Sequence, residues 1–222
     1  RRGRMLVSVV KNIDKRYFNY QLSKCFKIAV ANLYVRASSV LTHVPVSWIR
    51  SIDVEPVAKC NLECPFCQVP GWHRATETGV MGVELFRKII GQFPNLKHIK
   101  LQGMGEPFLN KNLTAMIRMA SERNIKTTIL TNGTLLNQAL CLDVLESKLT
   151  TLYFSFDAAT KETYEKLRVG ASFEAVVRNI RKICEKKKIA GYKTDLYIRC
   201  LVSNRSVLDE LPLLVELAAG LG

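Results

Sequence analysis

The chain has 222 residues, 48% hydrophobic and 23% charged, with no low-complexity tract or internal repeat, which fits one globular domain with a real core and excludes disordered, collagen-like and fibrous classes. No run of 18 apolar residues occurs, since the best approach, from Phe26 to Leu41, is broken by Lys27, Asn32 and Arg36; neither a bilayer-spanning helix nor a secretory signal is expected. The net charge of +14 is uneven: residues 1–44 hold nine Lys/Arg against one acid, a net +8, and residues 45–222 hold the remaining +6.

Residues 1–44 mix these cations with Tyr17, Phe18, Tyr20, Phe26 and Tyr34 and read as a basic extension of one or two amphipathic helices. It is either a solvated cover on the domain or a surface for an anionic membrane, an acidic partner or nucleic acid, though no specific nucleic-acid motif is present. From Pro45 to Gly222, short β-rich runs alternate with helical periods. The strands expected are Ile52 to Glu55, His98 to Gln102, Lys126 to Thr131, Thr151 to Phe156 and Asp195 to Val202. Between them apolar residues recur at helical spacing: Val83, Phe86, Ile90 and Phe93; Leu113, Met116, Ile117 and Ala120; Phe173, Val176, Val177, Ile180, Ile183 and Cys184. Ser206 and Asp209 form an expected capping pair for a last helix carrying Leu208, Leu211 and Val215. Five strand-helix units imply an α/β fold of parallel strands joined by right-handed crossovers.

Seven cysteines are an odd number, and three of them, Cys60, Cys64 and Cys67, fall within eight residues. That usage points to metal ligation in a reducing, cytoplasmic compartment rather than to disulfides. The C-x3-C-x2-C run follows the first strand and lets one turn of chain present three soft thiolates. Closed zinc sites and ferredoxin-like clusters use four ligands, so three cysteines leave a position open; His73 is the one candidate to fill it in a zinc site. Cys141, Cys184 and Cys200, the last placed in the fifth strand, read as core residues, and His43 and His98 as structural.

Three further clusters begin where strands end. Gly103-Met-Gly105-Glu106-Pro107 joins two glycines, which let backbone approach a ligand, to a carboxylate suited to a cationic amino group. Thr131-Asn132-Gly133 is first a turn signal. Ser155 and Asp157 lie two apart, on one side of a strand, where they suit a ribose or an amino-acid headgroup, or cap the next helix. Carboxyl ends of barrel strands are where α/β enzymes keep their functional loops.

In order and spacing these motifs resemble the radical S-adenosylmethionine enzymes, and in particular their branch with a cysteine-rich SPASM extension. The residues that carry the resemblance are Cys60 to Cys67 with Phe66 before the last cysteine, the Gly-x-Gly-Glu-Pro and Thr-Asn-Gly-Thr stretches, and Ser155 through Arg168. It implies a partial (β/α)6 TIM-like barrel, of which about five units lie in this chain, so that the chain is expected to be a fragment. It further implies a [4Fe-4S] cluster on Cys60, Cys64 and Cys67, with S-adenosyl-L-methionine on the fourth iron. Phe66, Gly103, Gly105 and Glu106 would take the adenine and methionine amino ends, Thr131 and Ser155 the ribose and carboxylate region, and Arg168 the carboxylate. Auxiliary clusters would lie beyond Gly222. The implied activity is reductive cleavage of S-adenosylmethionine to a 5'-deoxyadenosyl radical that abstracts hydrogen from a peptide or small-molecule substrate, fed by a one-electron donor of flavodoxin or ferredoxin type. A nucleotide cyclase like that of molybdenum-cofactor synthesis, and a non-catalytic iron-sulfur or zinc-binding module, are the alternatives.

Overall fold

The computed structural model describes residues 46–67 and 79–222. The basic extension expected over 1–44, with Cys25 and His43, and the loop carrying His73 lie outside the described residues. Val46–Trp48 is a single 3-10 turn. The compact unit described below runs from Ile49 to Gly222.

Five strands build one sheet: β1 (Ser51–Val54), β2 (His98–Leu101), β3 (Lys126–Thr131), β4 (Thr151–Ser155) and β5 (Asp195–Arg199). Their order is the order of the chain, and all four pairings are parallel. Each strand needs a crossover to return to the same edge, and helices supply it: α1 (Val83–Gly91), α2 (Leu113–Glu122), α3 (Gln138–Glu146), then α4 (Lys161–Leu167) and α5 (Phe173–Ala190), with α6 (Arg205–Ala219) after β5. The expected five units are present. β3 ends at Thr131 as the sequence pattern suggests and the other four strands stop one to three residues earlier, so Cys200 follows β5 instead of lying within it.

Burial explains which helices form. Phe86 and Ile90 of α1, Met116, Ile117 and Ala120 of α2, and Val176, Ile180 and Ile183 of α5 recur at three- and four-residue spacing and are buried against the sheet core of Ile99, Leu101, Ile129, Leu152 and Phe154. β3, in the middle of the sheet, is buried on both faces, whereas β5 alternates exposed and half-buried residues as an edge strand does. Helix α5 ends at Gly191, whose φ of +69° is the left-handed cap that glycine takes most readily. The cap of α6 is Asn204, which accepts from Val207 N–H at 3.1 Å; the expected cap Ser206 lies inside the helix, and Asp209 pairs with Arg205. Among the described residues no helix is long and apolar enough to cross a membrane.

Candidate functional site

Because all five strands run the same way, the residues after Val54, Leu101, Thr131, Ser155 and Arg199 lie along one edge of the sheet. The cysteine loop leaves β1 there. A Cys67 N–H bond to the Cys64 carbonyl (3.0 Å) closes its tight turn, and the Glu63 N–H bond to the Val169 carbonyl (2.9 Å) ties it to the segment after α4. Cys64 is buried; Cys60 and Cys67 are half-buried. Burial pushes the Cys60 and Cys64 thiols up, and the neighbouring sulfurs add to it: Cys60 feels Cys67, and Cys64 feels both Cys60 and Cys67. Asn132 Nδ2 approaches Cys60 Sγ at 3.9 Å, and Arg168 Nη1 approaches Cys64 Sγ at 3.9 Å, each favouring the thiolate.

The glycine-rich stretch packs backbone against backbone on the chain entering that loop. A Cβ on Gly105 would lie 2.0 Å from the Val57 carbonyl oxygen, and one on Gly103 would lie 2.3 Å from Glu55 Oε1. Only glycine fits such an approach at Gly105, where the obstacle is main chain. Glu55 Oε1 accepts from the N–H groups of Met104 (2.6 Å) and Gly105 (3.1 Å), and the Glu106 N–H donates to the Lys59 carbonyl (2.8 Å).

Glu106 is tied into the protein. Its side chain is 2% exposed and works inside the protein: Oε1 accepts from Thr131 Oγ1 (2.7 Å) and Phe108 N–H (3.2 Å), and Oε2 from Asn132 N–H (2.8 Å). Burial pushes this carboxyl up from its ordinary value, and the three donors oppose the shift. Thr131, 1% exposed, has its hydroxyl committed to the same carboxylate. Three protein donors thus converge on one carboxylate, two on Oε1 and one on Oε2. The brace has a clear job, since it fixes the β3 turn that carries Asn132. From that turn, Asn132 Nδ2 donates to Asn61 Oδ1 (3.0 Å), and Asn61 Nδ2 donates to Thr134 Oγ1 (2.8 Å), locking the turn to the cysteine loop.

Ser155 and Asp157 sit at and just beyond the end of β4. Ser155 ends β4, half-buried. Asp157 is buried and holds Arg168: Nε and Nη2 reach Oδ2 at 2.7 and 2.6 Å, while Oδ1 accepts from Leu201 N–H at 2.8 Å; the cap of the next helix is Thr160. The Arg168 guanidinium also lies over the Phe66 ring, 5.3 Å from its centroid. Its charge is thus engaged by Asp157, Cys64 and Phe66. Phe66 itself is 37% exposed.

Of the other cysteines, Cys141 is fully buried with its thiol toward the Leu136 carbonyl (3.7 Å), Cys184 packs half-buried on the core, and Cys200 lies 3.6 Å from the Asp157 carbonyl. His98 bonds Thr128 Oγ1 through Nε2 (2.8 Å) at the opposite, entering end of the strands. Sequence reasoning missed Glu55, a single acid after β1 with no motif to mark it, and saw Asn132 only as a turn residue.

The profile of the Radical SAM superfamily matches residues 54–198. The chain belongs to that superfamily. Curated proteins resemble it at low identity: the tungsten-containing aldehyde ferredoxin oxidoreductase cofactor-modifying protein of Pyrococcus furiosus is 28% identical over 78% of this chain and 49% of its own length. A probable GTP 3',8-cyclase of Methanocaldococcus jannaschii is 29% identical over 78% of the chain and 56% of its own length, and the PqqA peptide cyclase of Granulibacter bethesdensis 28% over 74% and 42%. The chain spans about half the length of these relatives. Among solved radical SAM structures, Streptococcus suis SuiB bound to precursor peptide SuiA superposes with a TM-score of 0.64 at 19% identity, over 79% of this chain and 38% of that one. The anSMEcpe enzyme with bound AdoMet gives 0.57 at 23%, over 73% and 46%. The shared fold is the partial TIM-like barrel.

Proposed function

We propose that Cys60, Cys64 and Cys67 hold one [4Fe-4S] cluster, and that S-adenosylmethionine binds beside it along the strand ends, against Phe66, the backbone of Gly103, Gly105, Glu106 and Thr131, and Ser155. The observation that carries this reading is a single loop after β1, closed by the Cys67 N–H bond to the Cys64 carbonyl, that carries all three thiols and has an N–H donor facing two of them. Among the described residues no three His, Cys, Asp or Glu side chains converge on a point for one metal ion. A cubane asks no such convergence, because each thiolate binds a different iron. The donor set fits: three soft sulfur ligands would leave one iron for the amino and carboxylate groups of S-adenosylmethionine.

When bound, cluster and S-adenosylmethionine would supply a 5'-deoxyadenosyl radical for hydrogen abstraction. This chain's part is to position and to exclude water. Asn132 and Arg168 orient the loop sulfurs, and the Gly105 contact with Val57 fixes the glycine-rich stretch against the loop. The Glu106 brace holds the β3 end in register with both. A peptide substrate is the favoured class, because a PqqA peptide cyclase is among the relatives and the SuiB fold is seen with a precursor peptide. The GTP 3',8-cyclase relatives support a nucleotide as the second reading. The reaction would draw on a one-electron donor in the cytoplasm, and residues 1–44, read as a separate basic domain, would recruit an acidic partner or anionic membrane surface.

Anaerobically reconstituted protein reduced with dithionite is expected to release 5'-deoxyadenosine from S-adenosylmethionine, quantified by liquid chromatography with mass spectrometry. Cys64→Ala is expected to lose both the visible cluster absorbance and the product. Turnover-free protein carrying one zinc per chain would sink the reading. Salt-sensitive co-sedimentation with anionic vesicles, unchanged on deleting residues 1–44, would remove the membrane role of that segment.

A further inference from the structure

The geometry points to Arg168 as a positioning residue that donates to a cluster thiolate and raises the reduction potential of the cluster, an inference that rests on the cluster reading above. Four observations meet in this one side chain. Nη1 lies 3.9 Å from Cys64 Sγ. Nε and Nη2 share Asp157 Oδ2, at 2.7 and 2.6 Å. Its Cζ lies over the ring of Phe66, the residue just before the third cysteine, 5.3 Å from the centroid. The side chain is 13% exposed and its carboxylate partner 1%, so little water screens the charge.

Asp157 is itself held. Its Oδ1 accepts from Leu201 N–H beyond β5, and its position two residues past β4 fixes it to the sheet. The guanidinium is therefore anchored to the ends of two strands and presents its remaining arm to the sulfur. A planar fork with five donors can bond a carboxylate, face a thiolate and stack on an aromatic ring at once, which an ammonium group cannot. The other two sulfurs differ. Cys60 has a neutral amide, Asn132 Nδ2, at 3.9 Å, and no side-chain donor to Cys67 is seen among the described residues. The cationic contact is thus confined to one of three ligands.

Hydrogen bonds to cluster sulfurs and nearby positive charge stabilise the reduced cluster, which carries one more negative charge, and so raise its potential. A radical SAM cluster must pass an electron to a bound sulfonium, so the same contact that eases its reduction weakens its driving force. Arg168 would set that balance without touching the substrate.

Potentiometric titration of the reconstituted holoprotein, followed by electron paramagnetic resonance in the absence of S-adenosylmethionine, tests this. Arg168→Met is expected to retain four irons per chain and shift the midpoint to a more negative potential, with Arg168→Lys between it and the parent. Arg118→Met, which removes an exposed cation paired with Asp143, is expected to leave the midpoint where it is. Midpoints of Arg168→Met and Arg168→Lys equal to the parent's would overturn the proposal. Should neither variant load a cluster, unaltered holoprotein grown on guanidino-15N arginine decides: electron-nuclear double resonance of the reduced cluster should show arginine nitrogen coupling, and its absence overturns the proposal. Failure of the parent to form any cluster would instead overturn the cluster reading.

Discussion

At Gly105 the glycine-rich stretch comes within a side chain's width of the Val57 carbonyl, leaving no room for a Cβ. Gly105→Ala is expected to push the stretch and the cysteine loop apart. Iron per chain after reconstitution should fall several-fold, with a stability loss of about 1–3 kcal/mol in thermal unfolding. Glu106 shows the limit of reading a carboxylate from its motif. Sequence places an acid beside two glycines at a strand end but does not tell whether it faces a ligand or accepts from its neighbours. That depends on the β3 turn 25 residues on, which only the folded sheet brings near. Tyr164 carries a different expectation. Its hydroxyl is buried without a hydrogen-bond partner among the described residues, beside Phe156 and Phe173, and burial raises its pKa. Tyr164→Phe should keep the ring packing and raise stability by roughly 1 kcal/mol, since an unmet buried donor is removed. A lower melting temperature in differential scanning calorimetry would contradict it.

Elements joined by polar side chains respond to pH in a definite direction. Glu210 of α6 reaches the start of α4: Oε2 accepts from the N–H groups of Ala159 (2.8 Å) and Thr160 (2.9 Å), and Oε1 from Thr160 Oγ1 (2.9 Å). Partial burial pushes this carboxyl up, but those bonds and Thr163 outweigh it and hold it below its ordinary value of 4.5. A depressed carboxylate contributes stability above its unfolded pKa and loses it as pH falls through the folded one. The stability gap between parent and Glu210→Gln should therefore be constant from about pH 7 to 5 and close below 4.5, as read by urea titration at each pH. Helices with a strong apolar period, α1, α2 and α5, were legible because their buried faces repeat every three or four residues. Helix α4 was not, since only Tyr164 and Leu167 of its seven residues are buried and its polar residues carry no period. The α6 start was misplaced because Ser206 and Asp209 fit a capping pair as well as Asn204 fits a cap, and the choice rests on backbone geometry.

Across the whole molecule, the parallel sheet and its five units follow from alternation of strand and helix, which a single sequence displays. The site is legible as four clusters at strand ends, and its wiring is not, because it runs between clusters far apart in the chain. A ligand that binds only the folded state adds to its stability, and here the cysteine loop touches the ends of β3 and α4 as well as β1. Cluster-loaded protein is expected to melt several degrees above the same protein stripped by chelation under reducing conditions. The difference should vanish in Cys64→Ala.

The long reach of those contacts has a consequence for synthesis. Asn132 follows Cys60 by 72 residues and Arg168 follows Cys64 by 104. At about 5–20 residues per second, a ribosome that has delivered Cys64 needs roughly 5–20 s more to deliver its arginine. Through that interval the nascent thiols lack the side chains that orient them, and they meet oxygen and stray metal ions unguarded. Cluster loading therefore belongs after translation of α4, and slowing the ribosome between codons 67 and 168 should lower the iron-loaded fraction without lowering the yield of chain.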